Sequence, residues 1–484
     1  MADNLQQKTF FGVLWSLGEK FSIQAFGFVQ GIILGRLLDP SDYGMVGMLA
    51  VFLGISATFA DAGFCTALVR KKNRTAIDYS TVYTTNVVIS FVCCIILWLI
   101  SPAVANFYET PLLKDILRVN AVYLFINSFL AVQKAHLSIQ LKFKSQSKVF
   151  ICSEITTGVV AIIMAFMGYG VWSLVVPCYF GFVIKAIMFW HVEHWFPRFG
   201  FSKQSFNEFF NFGSKLLATN LINSIYGNIY PVVIGKAFSA TDLGYYSKAG
   251  GYAKLPSETL SGVLTKVAFP VMSEIQDDNK RLGEVYRRMI SLSAYVVFPA
   301  LIGMSVLAKP FIITLITSKW AASIIYLQII CFARMLTPIH SLNLSLLNVL
   351  GRSDLFLRLE IIKKILGILV IVVTIPFGLV ALCYGGVFSA VLFLVINTYY
   401  TGKFIHVGFF TQMKDIFPIF VQSLVMGGIV YFVTFAITPC WIQLLVGIPV
   451  GITVYLVISI LTRSSELSYL RLLIQENILK KNNK

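Results

Sequence analysis

The chain is poor in charge: only 13% of its 484 residues are Asp, Glu, Lys or Arg. A soluble domain carries about 25%. The polar surface that a soluble protein of this length needs around its cores is therefore missing. Acidic residues are the scarcer sign, 22 against 39 basic ones. Long polar loops are missing too, so no extramembrane domain large enough to fold alone is expected. Seven of the 8 cysteines lie within apolar runs, which excludes a secreted disulfide scaffold. No G-x-x-x-x-G-K-[ST], H-E-x-x-H, G-x-S-x-G or D-x-D occurs, so neither a P-loop nor a familiar hydrolase or glycosyltransferase centre is expected. Met1–Lys8 is polar and the run behind it is too long for a signal h-region, so the first apolar segment is expected to stay as an anchor.

What is there is hydrophobic sequence, 57% of the residues and 14% aromatic, which excludes disorder. Spans of about 20 apolar residues fit fourteen times: 10–34, 44–68, 80–100, 115–135, 149–167, 170–190, 209–234, 250–270, 289–308, 322–346, 359–375, 379–400, 416–437 and 441–461. The expected fold class is all-α integral membrane. With the N-terminus placed in the cytoplasm, 26 basic residues fall on inner loops and ends and 7 on outer ones. That is the asymmetry of the positive-inside rule, and both termini are then cytoplasmic. Most of the net charge of +17 thus reports topology, and no nucleic-acid partner is expected.

An internal repeat appears at an offset of 200. IILGRLLDPSDYG (32–44) matches VVIGKAFSATDLG (232–244), with Gly35, Asp42 and Gly44 against Gly235, Asp242 and Gly244. The expected structure is a tight outer turn, with Gly supplying unusual backbone angles and Asp an N-cap. A weaker echo links GYGVWSLV (168–175) to PFGLVALC (376–383). The repeat implies two six-helix lobes, 1–205 and 206–402, then two further helices in 403–462 and a tail, 463–484.

These motifs resemble a known family. GRLLDPSDYG, GYGVWSLVVP, WFPRFGFS (195–202), IGKAFSATDLGYYSKA (234–249), FPVMSEIQDDNKRLGEVYRRM (269–289) and GRSDLFLRLEIIKK (351–364) together resemble the Wzx-type polysaccharide transporters of the MOP flippase superfamily, in their WzxC-like, colanic-acid-exporter-like branch. The resemblance runs over residues 5 to about 462. It implies a MATE-like cavity between two bundles and alternating access. The cargo would be an undecaprenyl-diphosphate-linked oligosaccharide, moved across the inner membrane for O-antigen, capsule or exopolysaccharide. It implies no cofactor and no enzymatic step. Partners would be the lipid-linked oligosaccharide, the phospholipid bilayer and other polysaccharide assembly proteins. A multidrug exporter of the same superfamily, and a membrane-embedded polymerase or glycosyltransferase, are the alternatives.

Charges within spans cost at least about 2.5 kcal/mol each on insertion scales, so each asks for a reason. Lys20 and Arg334 are expected to face a hydrated cavity and meet a diphosphate, since ammonium and guanidinium suit phosphate oxygens. The competing reading is interhelical pairing that fixes packing. Lys215 and Asn223 could bind sugar or only tie helices together. Lys254 and Glu258, spaced i,i+4, can pair on one face or line the cavity. Glu19, Asp61 and Glu258 are the candidates for an ion-coupling role. Lys185, Lys266, Asp61 and Glu154 are expected to snorkel or pair near the inner face. In HVEH, His191 and His194 could ligate a metal, but no third ligand is evident, and no metal is expected.

Overall fold

The computed structural model describes residues 2–61, 63–193, 197–469 and 471. Side chains are described from Trp15 onward, except 16–17, 193, 263 and 267. His194 and the tail from 472 therefore lie outside the described residues.

Among the described residues the chain is helical with no strand. It divides into two compact units, Met1–Gly244 and Tyr245–Lys484. The first holds α1 (Ala2–Leu37), α2 (Pro40–Asp61), α3 (Phe64–Arg70), α4 (Ala76–Phe107), α5 (Leu113–Ser128), α6 (Ala131–Ile139), α7 (Phe143–Phe166), α8 (Trp172–Val175), α9 (Pro177–Glu193), α10 (Lys203–Gly227) and α11 (Ile229–Ala237). α12 (Ala240–Glu274) starts at its end and runs on into the second unit. There follow α13 (Asn279–Val306), α14 (Ala308–Ile316), α15 (Ser323–Met335), α16 (Thr337–Val349), α17 (Ser353–Thr374), α18 (Leu379–Ile405), α19 (Phe409–Phe435) and α20 (Cys440–Leu461).

Each of the fourteen expected spans falls on one helix or on two consecutive ones. Among the described residues, ten helical segments are long and apolar enough to cross a membrane. The stretches that miss that measure are α1, α10–α11, α12 and α17. Their sequences carry charged or amide side chains along their length, and three of them hold candidate site residues. Breaks within spans have local causes. Gly63 has φ 72° between α2 and α3, a backbone region that favours glycine. Pro338 sits in the first turn of α16, just where α15 has ended.

In the first unit α7 packs on α1 and α9. A Cβ at Gly158 would overlap the Phe26 ring, and one at Gly181 would lie 2.1 Å from Thr157 Oγ1. Ser153 Oγ donates to the Gly181 carbonyl at 2.9 Å. These glycines let two apolar helices approach without a gap, which is how association proceeds where the hydrophobic effect is absent. The connector after α9 is pinned to α4: Thr84 Oγ1 donates to the Gly200 carbonyl at 3.0 Å, and Ser202 N–H donates to Thr81 Oγ1 at 3.0 Å.

Both copies of the repeat fall at a junction between helices, α1 to α2 and α11 to α12, but they work differently from the expectation. None of Gly35, Gly44, Gly235 and Gly244 has a positive φ. Gly44, Gly235 and Gly244 serve close approach. A Cβ on Gly44 would lie 1.6 Å from the Ala240 carbonyl oxygen, and one on Gly244 1.8 Å from that of Pro40. Nor are Asp42 and Asp242 N-caps. Each sits in its helix's first turn, three residues past the cap, and reaches back. Asp39 N–H donates to Asp42 Oδ2 at 3.1 Å, and Ser239 Oγ donates to Asp242 Oδ2 at 2.6 Å. This is the capping-box position, where a carboxylate returns to a cap that precedes it. The weaker echo does use backbone freedom: Gly170 has φ 53° and Gly378 φ 95°.

The second unit is tied by a buried polar cluster. Asn343 on α16 and Gln412 on α19 exchange amide hydrogen bonds, each at 3.2 Å. Gln412 Nε2 also lies 3.1 Å from Thr401 Oγ1 and 3.3 Å from Tyr286 OH. None of the four residues is more than 1% exposed. Paired amides of this kind join helices across an apolar medium.

Candidate functional site

The sharpest charge cluster lies in the second unit. Glu258 stands one helical turn after Lys254 on α12, and its Oε2 is 3.3 Å from Lys254 Nζ. Its other oxygen, Oε1, is 3.6 Å from Arg334 Nη1 on α15. One carboxylate thus faces two cations, leaving the trio with one net positive charge. The side chains are 54% (Lys254), 47% (Glu258) and 38% (Arg334) exposed. Groups so open are not a sealed structural salt bridge, and ion pairs of this exposure contribute little to stability. They are held near one another yet remain reachable. Arg334 is placed by the end of α15: it is the penultimate residue before the break that Pro338 enforces.

The structure therefore merges three expectations that the sequence kept apart. Lys254 and Glu258 pair as their spacing demands, and Arg334 joins them.

In the first unit the candidates are spread over α1, α2 and α10. Glu19 accepts a hydrogen bond from the fully buried Ser147 Oγ of α7 at 2.6 Å. Lys20, the next residue, is exposed and makes no hydrogen bond or ion pair among the described residues. Adjacent helix positions point about 100° apart, and the two do not meet. Lys215 and Asn223 lie exposed on α10. Asp61, at the end of α2, borders a cavity of about 680 Å³ in the same unit. Lys134, Lys185, Asn127, Thr66 and Ser138 share its lining. Lys134 Nζ is 5.3 Å and Lys185 Nζ 5.8 Å from the centre of the Phe150 ring, which also faces the cavity. Two ammonium groups beside an aromatic face, with hydroxyl and amide donors around them, suit an anionic, hydroxyl-rich molecule.

Lys134 and Lys185 are the functional candidates that sequence reasoning passed over. Lys134 reads as one more inner-loop charge and Lys185 as a snorkelling one. Only their convergence on Phe150 from α6 and α9 marks them.

Glu193's side chain and His194 lie outside the described residues, so the HVEH run enters no geometry.

Long apolar helices and short connections define a multi-pass membrane protein. The family model described as "Polysaccharide biosynthesis protein" matches residues 33–325, over half of the chain, and the chain belongs to that family. Lipopolysaccharide biosynthesis protein WzxC of Escherichia coli (strain K12) is 26% identical over 404 residues, covering 82% of this chain and 80% of that protein. Teichuronic acid biosynthesis protein TuaB of Bacillus subtilis (strain 168) is 27% identical over 346 residues, covering 71% and 72%. The solved structure of the lipid II flippase MurJ in an inward closed conformation superposes with a TM-score of 0.76 at 16% identity, over 93% of this chain and 99% of that one. The chain accordingly shares the fold of that structure.

Proposed function

We propose that this protein is a flippase that carries polyprenyl-diphosphate-linked oligosaccharide units across the cytoplasmic membrane for surface polysaccharide assembly. The observation that carries the reading is the trio Lys254–Glu258–Arg334, a group with one net positive charge left half-open on α12 and α15 in a chain that is only 13% charged. The names of the relatives, drawn from lipopolysaccharide and teichuronic acid synthesis, point to the same cargo class.

The physical task is to pass a charged diphosphate and its sugars through hydrocarbon, where unshielded polar groups cost several kcal/mol each. Arg334 offers a diphosphate two parallel N–H donors. Glu258 holds that guanidinium until cargo arrives, and the diphosphate then displaces the carboxylate. A cation or proton that neutralises the released Glu258 would couple transport to an ion gradient. Glu19 and Asp61 are the corresponding carboxylates of the first unit. Lys20, Lys215 and Asn223, exposed on α1 and α10, would line the sugar path. The halves expected from the repeat, 1–205 and 206–402, would be the moving bodies, with cytoplasmic termini.

The test is deletion of the gene, followed by analysis of surface polysaccharide and of lipid-linked intermediates. Loss of the surface glycan with accumulation of the intermediate is the expected result. An unchanged glycan with altered drug susceptibility would replace this reading with drug export.

A further inference from the structure

A second charged cavity has no part in the reading above. It measures about 1010 Å³ and lies in the second unit, where α13, α19, the end of α20 and the helical residues 465–469 meet. Four cations line it: Arg287, Arg288, Lys414 and Arg463. Arg287 is spent on Asp415, which takes two hydrogen bonds from its guanidinium at 2.8 and 2.6 Å. Glu466 is likewise occupied, accepting from the Ser464 and Ser465 hydroxyls at 3.1 Å each. Arg288 stacks on the Tyr469 ring at 4.3 Å, which leaves its N–H groups free to donate in plane. Lys414 and Arg463 make no ion pair among the described residues. Four cations thus face three carboxylates, Glu284, Asp415 and Glu466, which leaves the lining with one net positive charge and Arg288, Lys414 and Arg463 outside any ion pair among the described residues.

The remaining wall is apolar and open: Phe417, Val421 and Val425 are 60%, 40% and 48% exposed. Directly beyond it along the same three helices lies a separate, almost wholly apolar cavity of about 380 Å³. Gly303, Gly447 and Gly451 line it. Buried hydrogen bonds tie α13 to α20 here, Tyr295 OH to Ser459 Oγ at 2.7 Å and Tyr455 OH to the Tyr295 carbonyl at 2.9 Å. Cations beside an exposed apolar wall are complementary to an amphiphile with an anionic head.

We propose that this groove binds an anionic phospholipid, its phosphate held by Arg288, Lys414 and Arg463 and one acyl chain lying along the apolar wall of α13, α19 and α20. The three cations belong to segments 280–288, 403–414 and 463–471, which the positive-inside rule puts on the cytoplasmic face. Anionic headgroups are abundant there, and each basic side chain adds roughly fivefold to their retention.

The experiment uses the full chain reconstituted in phosphatidylcholine vesicles containing phosphatidylglycerol. Native mass spectrometry reads which lipid stays bound after extraction. Wild-type protein is expected to retain phosphatidylglycerol in preference to phosphatidylcholine. The triple variant R288A/K414A/R463A is expected to lose that preference by tenfold or more, on the same roughly fivefold per cation. The variant K72A/K142A/K148A, which removes as many inner-face cations from the first unit, is expected to keep it. A photoactivatable phosphatidylglycerol added to the wild-type protein should cross-link within 284–292, 414–425 or 458–469, a readout independent of how the variants fold. Equal retention of both lipids, equal loss in the two triple variants, or cross-links elsewhere would overturn the proposal. So would displacement of the bound phosphatidylglycerol by polyprenyl phosphate at equal concentration, which would assign the groove to a polyprenyl chain instead.

Discussion

Gly44 and Gly244 stand in reciprocal contact: each presents its bare Cα to the backbone carbonyl that opens the other's helix. Ala240 O fills the place of a Gly44 side chain, and Pro40 O that of Gly244. The two copies of the repeat thus meet as near-equivalents, α2 and α12 starting against one another. Backbone carbonyls cannot rotate away, so a side chain here must separate the two turns. Gly44→Val is expected to destabilise the protein by about 1–3 kcal/mol or more, the range for overpacking. Gly428→Val in α19, where a Cβ meets open space, is the control. Thermal unfolding of purified protein checks both.

The trio in the second unit predicts an asymmetry between charge removal and charge retention. Glu258→Gln keeps shape and frees Arg334, so it should bind diphosphate at least as tightly while failing to release it. Transport turnover is then expected to fall roughly tenfold, with apparent cargo affinity unchanged or higher. Arg334→Lys keeps the charge but loses the planar fork, and a partial loss of about the same size is expected. Competition binding with a soluble diphosphate analogue, run beside transport, separates the two effects. Weaker binding in Glu258→Gln would rule out the displacement role.

The amide exchange between Asn343 and Gln412 is a stability feature, not a site. Gln412→Ala would leave Asn343 and Thr401 without their buried partner, at a cost of about 1–3 kcal/mol. Gln412→Leu, which fills the space but offers no polar atom, should cost a similar amount because the partners remain. Detergent-solubilised unfolding temperatures decide it.

Lys134 and Lys185 flank one ring, so their effects should not be independent. Each Ala variant is expected to weaken glycan export a few-fold, and the double variant by more than the product, since either ammonium alone still faces Phe150. A double-mutant comparison of export rates measures the coupling. Purely additive losses would mean that the two lysines act separately.

The legible parts of this structure were those set by composition and period. Apolar runs located the ten helical segments long and apolar enough to cross a membrane among the described residues, because hydrocarbon allows no other backbone solution here. Pro338 was legible as a break, since proline removes a donor wherever it stands. The repeat was legible as a pattern, but its mechanism was not. A glycine needed for φ and a glycine needed for close approach look alike until the opposing carbonyl at Ala240 or Pro40 is known. Asp42 and Asp242 were misplaced by three residues for a similar reason: a capping box holds an acceptor at either end. The pairing of Glu258 with Lys254 follows from their spacing on one helix, whereas Arg334 comes from a different helix, and no periodicity connects α12 to α15. Lys134 was hidden by the positive-inside bias, in which a functional cation and a topological one carry the same signal, and Lys185 by its place near the inner face, where snorkelling accounts for a lysine.

The central claim is that the half-open cations on α12 and α15 carry a diphosphate-linked glycan across the membrane. The most direct measurement is flipping of a fluorescently tagged polyprenyl-diphosphate oligosaccharide in proteoliposomes, comparing wild-type protein with Arg334→Ala at matched incorporation. Translocation by the wild-type protein, reduced about ten- to hundredfold by loss of the charge-assisted bonds from Arg334, is the predicted result. Full translocation by a properly folded Arg334→Ala protein would contradict it.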